Sequence, residues 1–192
     1  RFAYKKEHWV LEDINFSINS GEILALVGDT GAGKTSIINL LNRFYDIQYG
    51  EIKIDDISIS EFSLNELRKS ISVVQQDIFL FSDTIINNVS LYDRNIKEKD
   101  IVDAAKRLGI HDFVMSLPGG YDYVVGERGV TISVGQRQLI SFLRVYVRNS
   151  KILVLDEATS AMDAGLEERI MEGIAKSDFK TIIAITHKPS ML

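Results

Sequence analysis

The run Gly28-Asp29-Thr30-Gly31-Ala32-Gly33-Lys34-Thr35 follows directly on the apolar stretch 23–27 and leads into Ser36-Ile37-Ile38-Asn39-Leu40-Leu41, which reads as a helix. It matches the pattern G-x-x-x-x-G-K-[ST] with strand, loop and helix in the order that gives the pattern a mechanism. Glycines let consecutive backbone N–H groups curl around phosphate oxygens, and the following helix turns its positive end toward them. In such a loop Lys34 reaches the β and γ phosphates and Thr35 places its hydroxyl on Mg²⁺, with Ser36 counted among the nucleotide contacts. A chance glycine turn has no need of this order. Taken alone, the motif leaves kinases, GTPases, helicases and transporters open.

Other β-rich runs, at 52–54, 71–74, 152–155 and 181–185, alternate with amphipathic helical stretches, which argues for a mostly parallel sheet covered by helices. The runs at 23, 152 and 181 are nearly all apolar and are expected to be central strands buried on both faces. Between Phe79 and Asn149 no strand is convincing, and Ile101, Ala104, Ala105 and Leu108 fall on one helical face. A helical insert within an α/β core follows, broken by turn chemistry at Leu117-Pro118-Gly119-Gly120. The expected organisation is a single domain over 1–192, with a core from 1–77 and 151–192 and a helical subdomain from 78–150.

Composition bounds the chemistry. With 45% hydrophobic and 26% charged residues in 192, the chain can build one sizeable core. A net charge of -5 argues against a nucleic-acid partner held by a basic surface, and the absence of cysteine removes disulfides and thiolate metal sites. No apolar run approaches the roughly 18–20 residues that span a bilayer. The chain starts without Met and stops soon after the run 181–185, so it is expected to be an excerpt of a longer protein, truncated at the C-terminus.

A second chemical feature is Lys151-Ile152-Leu153-Val154-Leu155-Asp156-Glu157, an apolar strand that ends in two acids. Successive strand residues face opposite ways, so the acids can do different work. Asp156 is the candidate Mg²⁺ ligand, and Glu157 the group that polarises a water for attack on the γ phosphate. Ser133, ahead of a helical stretch through Leu139 and Leu143, reads as a helix N-cap able to present a hydroxyl and N–H groups to an anion.

The stretch 126–138, Gly-Glu-Arg-Gly-Val-Thr-Ile-Ser-Val-Gly-Gln-Arg-Gln, resembles the signature region of ABC ATPases, whose usual core is Leu-Ser-Gly-Gly-Gln. The resemblance extends over essentially the whole chain. It implies an α/β fold with a P-loop NTPase (RecA-like) core, an antiparallel β portion near the N-terminus and an inserted α-helical subdomain. It also implies ATP and Mg²⁺ as ligands, with Tyr4 stacked on adenine and Gln76 touching Mg²⁺ and the water region. Ser160-Ala161-Met162-Asp163 resembles the D-loop, and His187 the histidine that contacts the γ phosphate. Ser133, Gly135 and Gln136 would cover the ATP of a second copy. Glu157, His187, Gln76 and Lys34 are thus the expected catalytic group.

Phe79-Leu80-Phe81, Thr84-Ile85, Leu117-Pro118 and the 125–129 stretch resemble the exporter branch of the family. That branch implies a transmembrane domain upstream of Arg1, a second ATP-binding domain as partner, and a place on the cytoplasmic face of a membrane. The rival readings are a soluble ABC-type ATPase acting on chromosomes or ribosomes, a nucleotide-gated module that dimerises without turnover, and a small-molecule phosphotransferase. Ile132 and Val134 depart from the commonest Leu and Gly. A β-branched residue at 134 disfavours positive φ there. Leu143, Val145 and Tyr146 are bulkier than the family's usual residues, and Lys188 stands where Arg is common.

Overall fold

The computed structural model describes residues 1–5, 8–159, 162 and 164–186. Its elements are β1 (Ile23–Leu26), α1 (Lys34–Leu41), β2 (Lys53–Ile54), β3 (Ile57–Ser58), α2 (Leu64–Ser70), β4 (Ile71–Val74), α3 (Ile85–Ser90), α4 (Glu98–Arg107), α5 (His111–Ser116), α6 (Val134–Val147), β5 (Ile152–Asp156), α7 (Ala164–Ala175) and β6 (Thr181–Ile185). Two 3-10 turns, Gly120–Asp122 and Glu127–Gly129, precede α6. The chain divides into two compact units, one of Arg1–Ser72, Lys151–Asp156 and Lys180–Leu192, the other of Val73–Ser150 and Glu157–Phe179.

The first unit carries the main sheet, in the order β1-β6-β5-β4, which β4 enters through Ile71 and Ser72. β6 runs parallel to both β1 and β5, with Ala25 opposite Ala184 and Val154 opposite Ile183. Leu153, Val154 and Leu155 of β5 and Ile182 to Ile185 of β6 are all buried, as uninterrupted apolar runs require. The expectation of a third central strand is corrected at β1, which among the described residues pairs with β6 alone and has Ile23 52% exposed. An apolar run marks a strand that is suited to burial. It carries no information on how many neighbours its edges have.

Helix α1 turns Ile38 and Leu40 inward, and Leu40 joins Phe2 and Leu11 in a core cluster flanked by Val10, Ile37, Ile47 and Ile52. The N-terminal segment is held antiparallel to residue 11 through the Phe2–Leu11 bridge, and β2 pairs antiparallel with β3. Helix α2 opens on a reciprocal capping box between Ser63 and Glu66 and ends where Ile71 turns extended and starts β4.

In the second unit α3 and α4 pack on α6. Ile101, Ala104, Ala105 and Leu108 are buried together, as their helical spacing predicts. Fully buried Asn88 accepts from Phe81 N and donates to the carbonyls of Phe81, Asp83 and Thr84 at 3.0–3.2 Å, so one amide fixes the turn into α3. Gly173 brings α7 close to the end of α4, since a Cβ there would lie 2.8 Å from Leu108 Cδ2.

Candidate functional site

In the first unit β1 delivers the chain to the glycine loop, and α1 begins at Lys34. Gly33 is its N-cap with φ 89°, and a Cβ there would sit 2.7 Å from Leu11 Cδ2 and 3.2 Å from the Val10 carbonyl oxygen. Conformation and space both demand glycine. No side chain caps α1, so its first N–H groups stay directed at the loop, the arrangement that suits an anion. Lys34 Nζ folds back to donate to the carbonyls of Gly28 at 2.6 Å and Asp29 at 2.8 Å, and Ala32 N donates to Asp29 O. The ammonium is thereby held at the centre of the loop. Asp29, Thr30, Gly31, Ala32 and Thr35 are exposed, whereas Ser36 is buried.

Tyr4 lies in the same unit. Its ring makes T-shaped pairs with Phe2 (centroids 4.7 Å apart) and Tyr45 (4.9 Å), yet the residue remains 45% exposed. Its hydroxyl donates to Ser36 Oγ at 3.0 Å. Asp156 ends β5, opposite Ile185 in the register. The oxygens of Thr35 and Asp156 are the hard donors that Mg²⁺ takes. Among the described residues no group of three or more His, Asp or Glu is placed to hold a metal ion.

Glu157 opens the next segment of the second unit with φ 49°, a left-handed conformation uncommon for a non-glycine residue. Its carboxylate accepts from Gln76 Nε2 at 2.8 Å. Sequence reading set both residues at the reaction and missed that one holds the other, because no local pattern links positions 81 residues apart.

The signature stretch is anchored from α6. Ser133 is the N-cap, its Oγ accepting from Gln136 N at 3.1 Å while Gln136 Oε1 accepts from Ser133 N at 2.9 Å. The Ser133 hydroxyl proton remains available to an anion. Val134 is the first helical residue, which a β-branched side chain accepts without strain, in line with the sequence expectation of no positive φ. Arg137 donates to the carbonyls of Gly129 and Ile132, tying the preceding turn to the helix. Gly129 has φ 79°, and a Cβ on it would collide with Arg137 Cδ at 2.5 Å. Ser133, Val134, Gly135, Gln136, Leu139, Met162 and Leu166 line an open hollow of about 470 Å³.

The turn before α3 has its own charged anchor. Arg144 of α6 donates to Asn88 O at 2.9 Å and to Phe79 O at 3.3 Å, and its burial, with Arg148 nearby, pushes the guanidinium down to about 10. Asp83 accepts from Thr84 N, Asn87 Nδ2 and the Tyr92 hydroxyl, which together hold its carboxyl below the usual range. Ser160, Ala161, Asp163, His187 and Lys188 lie outside the described residues.

A family model described as ABC transporter matches residues 11–160. A Staphylococcus aureus (strain NCTC 8325) protein described as a multidrug export ATP-binding/permease protein is 46% identical over 184 residues, 95% of this chain and 32% of its own length. The Streptococcus pneumoniae ABC transporter ATP-binding protein exp8 is 44% identical over 192 residues, all of this chain and 33% of that protein. A solved bacterial Atm1-family ABC exporter with ATP bound superposes with a TM-score of 0.93 at 38% identity, covering 99% of this chain and 34% of that one. The P-loop NTPase core with an inserted helical part is therefore the fold of this chain. The chain spans about a third of the length of the curated relatives it matches.

Proposed function

Since this chain belongs to the ABC transporter family, we propose that it is the ATP-binding and ATP-hydrolysing motor domain of an exporter, working as a pair that closes around two ATP molecules. The observation that carries the reading is the loop from Gly28 to Thr35, with Lys34 Nζ at its centre and the uncapped start of α1 behind it. ATP phosphates would replace the two loop carbonyls as partners of Lys34, and loop N–H groups with the α1 dipole would hold their charge. Tyr4 would offer its exposed ring to the base. Thr35 and Asp156 would hold Mg²⁺, which would supply positive charge against the phosphates.

Glu157 is the proposed general base for the attacking water, and Gln76, bonded to it, sets its orientation. Ser133, Gly135 and Gln136 would meet the nucleotide of a second copy, so that cleavage of the γ phosphate removes the contacts that hold the pair shut. Asp163 and His187 complete the proposed nucleotide set by family resemblance. Among the described residues no helix is long and apolar enough to cross a membrane. The membrane-spanning partner is proposed to be a further domain, and the relative described as an ATP-binding/permease protein, of which this chain covers 32%, supports a fused arrangement. The motor would then sit on the cytoplasmic face.

The test is Lys34→Ala in the full-length protein, with ATP affinity followed by calorimetry and fold by circular dichroism. Loss of tight binding in a folded variant supports the reading. Unchanged affinity removes the loop from the site.

A further inference from the structure

Resting on the reading of Tyr4 as the base-stacking residue, we propose that Asn39 is a positioning residue for ATP, fixing the Tyr4 ring through its hydroxyl and so linking the base subsite to the helix that carries the phosphate loop. Asn39 Nδ2 donates to the Tyr4 hydroxyl oxygen at 3.2 Å, and that hydroxyl donates in turn to Ser36 Oγ at 3.0 Å. Both partners belong to α1, whose first residue is Lys34. Ser36 is buried, so the chain of bonds ends on a fixed point.

The ring is held on its other sides as well. Phe2 and Tyr45 meet it at interplanar angles of 80° and 86°, the edge-to-face geometry that aromatic pairs favour. The backbone just before it is gripped by Gln48, whose Oε1 accepts from Ala3 N at 2.9 Å and whose Nε2 donates to Ala3 O at 3.1 Å. This amide pairs with Ala3 as a neighbouring strand would. With the backbone pinned by Gln48 and the ring packed in T-shaped contact with Phe2 and Tyr45, the remaining freedom of the ring is a swing of its hydroxyl end. Asn39 and Ser36 remove that freedom. A stacking surface oriented in advance spares the ligand the cost of ordering it.

Tyr4→Phe deletes the hydroxyl and keeps the ring, while Asn39→Ala deletes the amide and keeps a good helix former. Affinities for ATP and for inorganic tripolyphosphate would be measured by calorimetry for both single variants and the double variant of the full-length protein. Each single change should weaken ATP by about threefold to tenfold, the scale of one neutral hydrogen bond. The double variant should be no worse than the weaker single one, and tripolyphosphate, which has no base, should bind each variant as it binds the parent.

Unchanged ATP affinity in Asn39→Ala, full additivity in the double variant, or an equal loss for tripolyphosphate would each overturn the proposal, the last by showing that Asn39 acts through the loop. Tyr4→Ala separates the two levels. If it weakens ATP while the other variants do not, stacking stands and the Asn39 link falls; if it too has no effect, both fall.

Discussion

Gln76 Nε2 donates to Glu157 Oε2 at 2.8 Å, so the residue proposed to activate water is held by an amide from the segment that follows β4. Gln76→Ala removes that hold. A hydrogen bond to a charged group is worth roughly 1.5–3 kcal/mol, so ATP turnover should fall by about tenfold to a hundredfold. ATP affinity measured in the same samples should stay near the parent value. A variant that turns over normally would show that the Glu157 orientation does not depend on Gln76.

Glu157 itself distinguishes a motor from a nucleotide-gated clamp. Gln at this position keeps size and hydrogen-bonding capacity but cannot accept the water's proton. General-base groups contribute about 10²–10⁴-fold, so phosphate release should drop by that order while ATP binding persists. With ATP retained, the closed pair should accumulate on size-exclusion chromatography. Parent-like turnover in Glu157→Gln would remove Glu157 from the base role.

At the start of α6, Ser133→Arg should separate binding from pairing. Each copy keeps its own loop and binds ATP, but a long side chain at the N-cap obstructs the approach of a second nucleotide and removes the Oγ that caps Gln136 N. ATP affinity should persist, and ATP-dependent pairing, followed by light scattering, should be lost. Normal pairing with full turnover would sink the composite arrangement.

A pH effect follows from Asp83, whose carboxyl is lowered first by the Tyr92 hydroxyl, then by Asn87 and the Thr84 N–H. A depressed folded value means that its contribution to stability is present above the unfolded carboxylate value, about 3.9, and is lost as pH falls through the folded one. Asp83→Ala should therefore unfold at lower denaturant than the parent at pH 7. The difference should shrink below about pH 4. A constant difference over that range would assign the effect to shape rather than charge.

Much of the candidate site is legible in the sequence, because its signals are local. The loop from Gly28 to Thr35, the acids closing β5 and the cap at Ser133 each rest on contiguous residues, whose spacing dictates backbone conformation and helix ends. The same holds for α4, where a helical period marks the buried face. The position of β1 is not legible in this way, since sheet order depends on which strands meet and not on the apolarity of one run.

What the sequence determined by itself is the glycine loop from Gly28 to Thr35, the strand-end carboxylates and the helix capped by Ser133, since all three are set by neighbours a few residues away. Only the tertiary structure decided that Gln76 grips Glu157, that Asn39 and Ser36 hold Tyr4, that Gln48 pins Ala3 and that Arg144 binds the Phe79 carbonyl. These are bonds between side chains and partners brought together by chain folding. Apart from the Tyr4 hydroxyl that donates to Ser36, their donors are Gln, Asn and Arg side chains, and no local pattern names the partner each one reaches.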